Sequence, residues 1–184
     1  MRVEDNPIFK IRESNLDSGL RGIPVGTCQT SFVDPIEGVH YVGYPVEDLV
    51  NMEEEDVIYL LFNKRLPTEE ESNDFRAELA HRAEEMPTGA LRVLESLTPG
   101  TGHPMDWLST GILALGISDT TGDLRTDSMN LVARMPELMA RIFHLRGGKK
   151  LQTRDSRPQL GLVENFTHIL GIDGDEAERM NRVS

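Results

Sequence analysis

The sequence has few of the residues from which many binding and catalytic sites are built. It holds one cysteine, Cys28, so it cannot form an internal disulfide, and we expect a reducing compartment. Basic residues are outnumbered, with 19 Lys and Arg against 31 Asp and Glu, which leaves a formal net charge of -12. This balance excludes a non-specific nucleic-acid binder, which needs a basic face to displace counterions. A local basic pocket for one anionic ligand remains compatible with it.

Long hydrophobic runs are also missing. No apolar run approaches the roughly 18 residues that cross a bilayer, so no membrane contact is expected. The N-terminus, Met1-Arg-Val-Glu-Asp5, is polar and acidic, which is not typical of a signal peptide, and we expect a cytoplasmic protein. The chain of 184 residues has 38% hydrophobic residues, 27% charged residues and a mean hydropathy of -0.36. These values are typical of a soluble globular protein of about one domain.

Recognisable catalytic motifs are absent as well. The sequence contains no G-x-S-x-G elbow, no Walker loop and no G-x-G-x-x-G. His81 lies at helical spacing from Glu78 and Glu84, and this pattern favours a solvated helix face over a pair of metal ligands. The acidic run Glu53–Asp56 favours a helix start, because consecutive helical residues point in different directions and a metal needs convergent oxygens. Nothing next to Cys28 in the sequence indicates a reactive thiolate. We therefore predict no catalytic residue and no metal ligand from the residues alone.

Residues 1–45 are predicted to form an extended segment with a small β-hairpin. Two short β-prone runs, Thr30–Val33 and Val39–Val42, flank Asp34-Pro-Ile-Glu-Gly38. Proline presets the backbone of a turn, and glycine accepts the strained exit, so this pattern predicts a hairpin. An isolated hairpin is marginal in water, and we expect it to pack on a larger body.

Residues 46–184 are predicted to be helical, so the fold class is mainly α. Thr68 and Glu71 form a capping-box pattern at the start of a helix that should run to about Met86. His103-Pro104 opens another helix that should end near Gly116, and residues 118–128 are expected to form a loop. The remaining predicted helices cover Val46–Val50, Glu53–Lys64, Ala90–Leu97, Met129–Leu145 with Pro136 inside it, Leu160–Leu170, and a last helix from Asp173 or Asp175.

Two residues have both a structural and a functional interpretation at this stage. His103 caps or adjoins a helix start, or alternatively it places a polar group near a site at a helix N-terminus. Arg21 lies between two glycines in Gly19-Leu-Arg-Gly22. Glycines let a backbone approach a ligand closely, and an arginine there can bind phosphate through its planar fork. The alternative for Arg21 is a loop arginine with a surface ion pair.

Six segments, taken together and in order, resemble the citrate synthase family. The first three are Asn15-Leu-Asp-Ser-Gly-Leu-Arg-Gly22, Thr30-Ser-Phe-Val-Asp34 with Gly38-Val-His-Tyr-Val-Gly-Tyr44, and Leu60-Leu-Phe-Asn-Lys-Arg-Leu-Pro-Thr68. The other three are His103-Pro-Met105, Leu131-Val-Ala-Arg-Met-Pro136 and Glu164-Asn-Phe-Thr-His-Ile-Leu-Gly171. The resemblance extends over nearly the whole chain. One difference is Val42, which stands where many members of the family have arginine.

The resemblance implies a citrate synthase-like helical domain, with condensation of acetyl-CoA and oxaloacetate to citrate, a step of the tricarboxylic acid cycle. It implies acetyl-CoA as co-substrate, no tightly bound cofactor and a homodimer-type helical interface. In the family, a histidine and an aspartate enolise acetyl-CoA and a second histidine polarises the oxaloacetate carbonyl. Arg21 matches a position linked to CoA phosphate binding, so it is the candidate cofactor-binding residue.

The resemblance also implies that this chain is only the N-terminal part of the large domain. The family's catalytic histidines and aspartate follow the segment that matches Ala177–Val183, and His103 and His168 do not correspond to them. We therefore expect a truncated chain without the small catalytic domain. Its partner would be a C-terminal citrate synthase half or a citrate synthase subunit, in a homo- or hetero-oligomer. The alternative is a non-catalytic dimerisation or regulatory module that pairs with itself or with a complete enzyme.

Overall fold

The structure is a computed structural model that describes residues 10–17, 19, 21–24, 26–148 and 154–183. It is mainly helical, with a small antiparallel sheet near its start, which confirms the predicted fold class. Contacts divide the chain into two compact units, Met1–Leu49 and Val50–Ser184. Among the described residues, no helix is both long and apolar enough to cross a bilayer.

The first unit contains the predicted hairpin. Strands β1 (Ser31–Asp34) and β2 (Gly38–Tyr41) pair antiparallel, with Asp34 opposite Gly38. The Asp34 carboxylate closes the turn, because it accepts hydrogen bonds from the backbone N–H groups of Ile36 and Glu37 at 2.7 and 2.8 Å. A third strand, β3 (Tyr44–Pro45), pairs with β2 and was not predicted from the sequence. Helix α1 (Val46–Leu49) follows it and is the short helix that the sequence predicts.

The second unit consists of seven helices within its described residues. Their bounds are α2 (Glu54–Asn63), α3 (Glu69–Arg82), α4 (Thr88–Glu95), α5 (Pro104–Asp119), α6 (Leu124–Arg146), α7 (Leu162–Leu170) and α8 (Asp175–Val183). A 3₁₀ turn, Pro158–Leu160, precedes α7. The predicted capping box is present, since Thr68 and Glu71 exchange side-chain and backbone hydrogen bonds at 3.3 and 2.9 Å. Helix α3 ends at Arg82, four residues before the predicted end.

Helix α6 is shared by two hydrophobic clusters, so it is the central element of this unit. The first cluster joins α4, α5 and the second half of α6 around Leu94, Trp107 and Leu138. The second cluster joins α2, α3 and the first half of α6 around Tyr59, Phe75 and Met129. An edge-to-face contact between the rings of Tyr59 and Phe75, with centroids 5.3 Å apart, adds to the burial in the second cluster.

Two details of the helices differ from the sequence-based prediction. The buried face of α2 carries Tyr59 and Leu60, whereas Lys64, the last residue of the predicted helix Glu53–Lys64, is exposed and lies outside the helix. Lys64 ends the helix with a left-handed backbone at φ 62°, so it leaves the helical register. The predicted loop 118–128 is also too long, because α5 continues to Asp119 and α6 begins at Leu124.

The segment between α6 and the 3₁₀ turn is partly described. Residues 149–153 lie outside the described residues. Arg154 binds Asp173 through two hydrogen bonds of 2.7 and 2.5 Å, and the backbone N–H of Arg157 donates to Asn165 at 2.7 Å. The described part of this segment therefore contacts α7 and the turn that precedes α8.

Candidate functional site

Arg21 lies in a turn of the first unit, as its glycine-rich surroundings predict. The flanking Gly19 and Gly22 have φ values of 60° and 73°, which side chains other than glycine rarely adopt. The Arg21 side chain is exposed, and no hydrogen bond or ion pair joins it to another described residue. The guanidinium is therefore accessible to an anionic ligand. Its role as a CoA phosphate contact stays a prediction.

His103 has the structural role that its position before a proline allows. Its Nδ1 accepts a hydrogen bond from the backbone N–H of Met105 at 3.2 Å, and Asp106 accepts one from the backbone N–H of His103 at 3.1 Å. This reciprocal pair caps the start of α5. Because Nδ1 is the acceptor, the neutral ring carries its proton on Nε2. The helix-start interpretation of His103 is confirmed.

The second unit contains a cavity of about 650 Å³. It lies between the start of α2, one face of α3 and the start of α7. Apolar side chains from α3 and α7 line its floor, among them Leu79, Ala80 and Leu162. Five glutamates line it as well, against one arginine and one histidine: Glu53, Glu54, Glu55, Glu84 and Glu164, against Arg76 and His81.

Glu55 connects two walls of this cavity. The side chain is 4% exposed, and its Oε1 accepts a hydrogen bond from the backbone N–H of Leu162 at 2.8 Å. That N–H stands at the positive end of α7, where a carboxylate is favoured. Gly161 is required beside it, because its φ is 89° and an added Cβ would lie 3.1 Å from Glu55 Oε1. The sequence analysis assigned Glu55 to a helix start and did not identify this contact, which joins residues 107 positions apart.

The carboxylates at the start of α2 are close together. Oxygens of Glu53, Glu54 and Glu55 lie within 4.8 Å of one another. Burial raises the pKa of Glu54, and the negative charges of Glu55, Glu53 and Glu164 raise it further. Arg76 contributes one positive charge, but it pairs with Asp56 at 3.6 Å and its Nε is buried without a hydrogen-bond partner. This end of the cavity therefore has an excess of negative charge.

Cys28 is exposed, and its surroundings differ from the sequence-based expectation. The Oγ atoms of Ser31 and Thr30 both lie 3.4 Å from its sulfur. Hydrogen bonds from Ser31 and then Thr30 lower the pKa of the thiol to about 6. The signal was present in the sequence as two hydroxyl residues two and three positions downstream. We assign no catalytic role to this thiol, because a lone cysteine does not constitute a site.

Comparison with protein families gives one match over most of the chain. The model of the family described as "Citrate synthase, C-terminal domain" matches residues 19–183. Among individual proteins, citrate synthase 2 of Bacillus subtilis is 32% identical over 165 residues, which are 86% of this chain and 43% of that protein. The 2-methylcitrate synthase 1 of Corynebacterium glutamicum is 33% identical over 166 residues, 86% of this chain and 42% of that protein.

Solved structures show the same likeness in three dimensions. The crystal structure of citrate synthase from Thermotoga maritima superposes with a TM-score of 0.73 at 26% identity, and the match covers 89% of this chain and 44% of that one. Citrate synthase from Pyrobaculum aerophilum superposes with a TM-score of 0.70 at 22% identity, and the match covers 98% of this chain and 51% of that one. This second likeness supports the fold alone. The chain thus spans less than half the length of the curated relatives cited above.

Proposed function

This chain belongs to the citrate synthase family, and from that premise we propose that it supplies the N-terminal part of a citrate synthase-type acyltransferase. The overall reaction consumes acetyl-CoA, oxaloacetate and water and yields citrate and free CoA. The order of the sequence motifs from Asn15 to Gly171 supports the assignment to the front of the large domain, although the matching family model is named for a C-terminal domain.

The observation that carries this proposal is the pattern of coverage. Relatives match 86% and more of this chain but only about two fifths of their own length. The remaining family length, in the same polypeptide or in a separate one, would supply the catalytic histidines and the aspartate. The part described here would then contribute scaffold, one wall of the acyl-CoA site and an assembly surface. We propose acetyl-CoA as co-substrate, without a tightly bound cofactor, and a cytoplasmic setting.

Arg21 is the residue that we propose for CoA binding in this chain. Its planar guanidinium can donate two parallel hydrogen bonds to a phosphate group. The turn that carries it exposes the side chain, and the adjacent glycines leave the backbone uncovered. Acid–base chemistry on the acetyl group is assigned to no residue described here.

Helix α5 supports an oligomeric arrangement. One of its faces packs in the first hydrophobic cluster through Trp107, while Met105, Leu113 and Ile117 on another face are 56%, 69% and 86% exposed. These three residues stand at multiples of four positions, so they form one stripe along the helix. An exposed apolar stripe of this kind is typical of a protein–protein interface. We propose that it packs against a second citrate synthase-type large domain.

The substitution Ile117→Glu tests this interface. A buried charge without a partner is costly, so the variant should shift the chain to a smaller species in light scattering coupled to size exclusion. Ile36→Glu is the matched control, because Ile36 is 95% exposed at the hairpin turn and makes the same change of charge. Equal masses for the wild-type chain and Ile117→Glu would argue against the α5 surface.

Co-expression with the rest of a citrate synthase chain tests the proposed function. We expect a stable complex that releases the CoA thiol only when acetyl-CoA and oxaloacetate are both present. A complex without turnover would favour the second candidate, a non-catalytic dimerisation or regulatory module that uses the α5 stripe. Absence of any complex would count against both.

A further inference from the structure

Residues 154–161 contribute one wall of the cavity between α2, α3 and α7, and we call this segment the strap. Its second half, from Pro158 to Gly161, lines the cavity. The 3₁₀ turn within the strap, Pro158–Leu160, contacts both α3 and α7. The strap therefore bridges two of the helices that form the sides of the cavity, and its displacement would expose the interior.

The strap is attached less firmly than the other walls. None of residues 154–161 is buried, so the burial of apolar side chains contributes little to holding it in place. The α3 wall differs, because Leu79 and Ala83 line the cavity there and are only 2% and 6% exposed. Segments with few buried apolar contacts open at a lower free energy than the core. The strap is thus the wall that opens most easily.

Polar contacts hold the strap against its neighbours. The Arg154 guanidinium donates hydrogen bonds to both carboxylate oxygens of Asp173, at 2.7 and 2.5 Å, and this pair lies at the surface. Further along, the buried Asn165 side chain accepts a hydrogen bond from the backbone N–H of Arg157 at 2.7 Å and donates one to Ser156 Oγ at 3.0 Å. Among the described ion pairs, the one with Asp173 is the only one that fastens the strap.

The C-terminal end of the strap is suited to act as a hinge. Gly161 has a φ of 89°, a conformation that other residues rarely adopt. The next residue, Leu162, is fixed because its backbone N–H donates to the buried Glu55 carboxylate at 2.8 Å. A glycine between an exposed segment and a fixed helix start allows the backbone to rotate at that point.

We propose that the strap opens about Gly161 to expose the cavity, and that the ion pair between Arg154 and Asp173 holds it closed. Because this pair is exposed, it contributes a small free energy and is screened by salt. The open form is then a minor population, which higher ionic strength or loss of the ion pair increases. The proposal concerns access to the cavity and does not depend on the acyltransferase assignment.

The reaction of a single thiol with N-ethylmaleimide, an uncharged reagent, tests the proposal. Cys28→Ser removes the exposed native thiol, and Ala83→Cys places a buried one on the α3 wall of the cavity. In this background, Asp173→Asn should raise the rate of modification about two- to fivefold. High salt should raise the rate in the presence of Asp173 and have little effect in Asp173→Asn. Asp175→Asn is the matched control, because it removes a nearby exposed carboxylate outside the ion pair.

Two further measurements separate strap opening from general unfolding. Ala90→Cys places the thiol in the first hydrophobic cluster, outside the cavity, where Asp173→Asn should leave the rate unchanged. Hydrogen exchange needs no added cysteine, and there the backbone N–H groups of Arg157 and Gly161 should exchange faster in Asp173→Asn than in the wild-type chain. The proposal is overturned if Asp173→Asn changes neither the thiol rate nor the exchange, if Asp175→Asn has an equal effect, or if the Ala90→Cys thiol is accelerated equally.

Discussion

At the scale of single residues, Asp127 organises the short connection between α5 and α6. Its carboxylate accepts hydrogen bonds from the hydroxyl groups of Thr120 and Thr121 and from the backbone N–H groups of Thr121 and Gly122, at 2.6 to 3.2 Å. Thr121 and then Thr120 hold the pKa of Asp127 at about 2, below its ordinary value of 3.8. These hydrogen bonds stabilise a connection that is shorter than the loop 118–128 predicted from the sequence.

This arrangement makes a pH-dependent contribution to stability. Because the pKa is lower in the folded than in the unfolded chain, the contribution is complete above about pH 4 and is lost as the pH falls towards 2. We expect Asp127→Asn to lower the free energy of unfolding at pH 7 and to flatten its decrease between pH 4 and 2. Urea unfolding at several pH values measures both. An unchanged acid slope in the variant would contradict the assigned hydrogen bonds.

Substitution of Arg21 tests the CoA contact that we propose for this chain. In an active assembly, Arg21→Ala should raise the KM for acetyl-CoA about tenfold or more, since it removes charge-assisted hydrogen bonds to a phosphate. The KM for oxaloacetate should stay unchanged. Arg12→Ala serves as the control, because Arg12 is another exposed arginine of the same unit. Equal effects on both substrates would indicate a structural role instead.

At the scale of elements, the packing of α5 on α6 depends on Gly111. An added Cβ there would lie 2.9 Å from Leu138 Cδ1, and Leu138 is fully buried. We expect Gly111→Ala to lower the free energy of unfolding by about 1 to 2 kcal/mol, because overpacking outweighs the helix propensity of alanine. Urea unfolding at fixed protein concentration measures this loss.

A double variant shows whether the loss arises at this contact. Leu138→Ala alone should cost about 2 to 5 kcal/mol, because it leaves a cavity. Gly111→Ala/Leu138→Ala should be less destabilised than the sum of the single variants by about 1 kcal/mol, since the smaller side chain removes the clash. Strict additivity would place the effect of Gly111→Ala elsewhere.

Elements with local signals were predicted correctly, and contacts between distant segments were not. The Thr68–Glu71 capping box and the Asp34–Gly38 turn depend on neighbours in the sequence, so the pattern reveals them. The contact of Glu55 with Leu162 joins two elements that only tertiary packing brings together. For that reason the sequence identified Arg21 as a candidate but gave no indication of the cavity that Glu55 helps to form.

At the scale of the whole molecule, α6 connects the two hydrophobic clusters of the helical unit, and the apolar stripe of α5 remains exposed on that unit. A chain with this arrangement has a core of its own and a surface suited to a partner. The comparisons agree, because relatives match almost all of this chain and less than half of themselves. Both observations support our proposal that the chain is the structural part of an assembly in which other family segments perform the acid–base chemistry.

The most direct test of this account is a reconstitution titration. The chain is added in steps to a fixed amount of the remaining citrate synthase portion, and the rate of CoA thiol release is measured with acetyl-CoA and oxaloacetate present. We predict that the rate rises from the background and saturates at one chain per portion. A rate that stays at background, or that does not depend on the amount of chain added, would contradict the account.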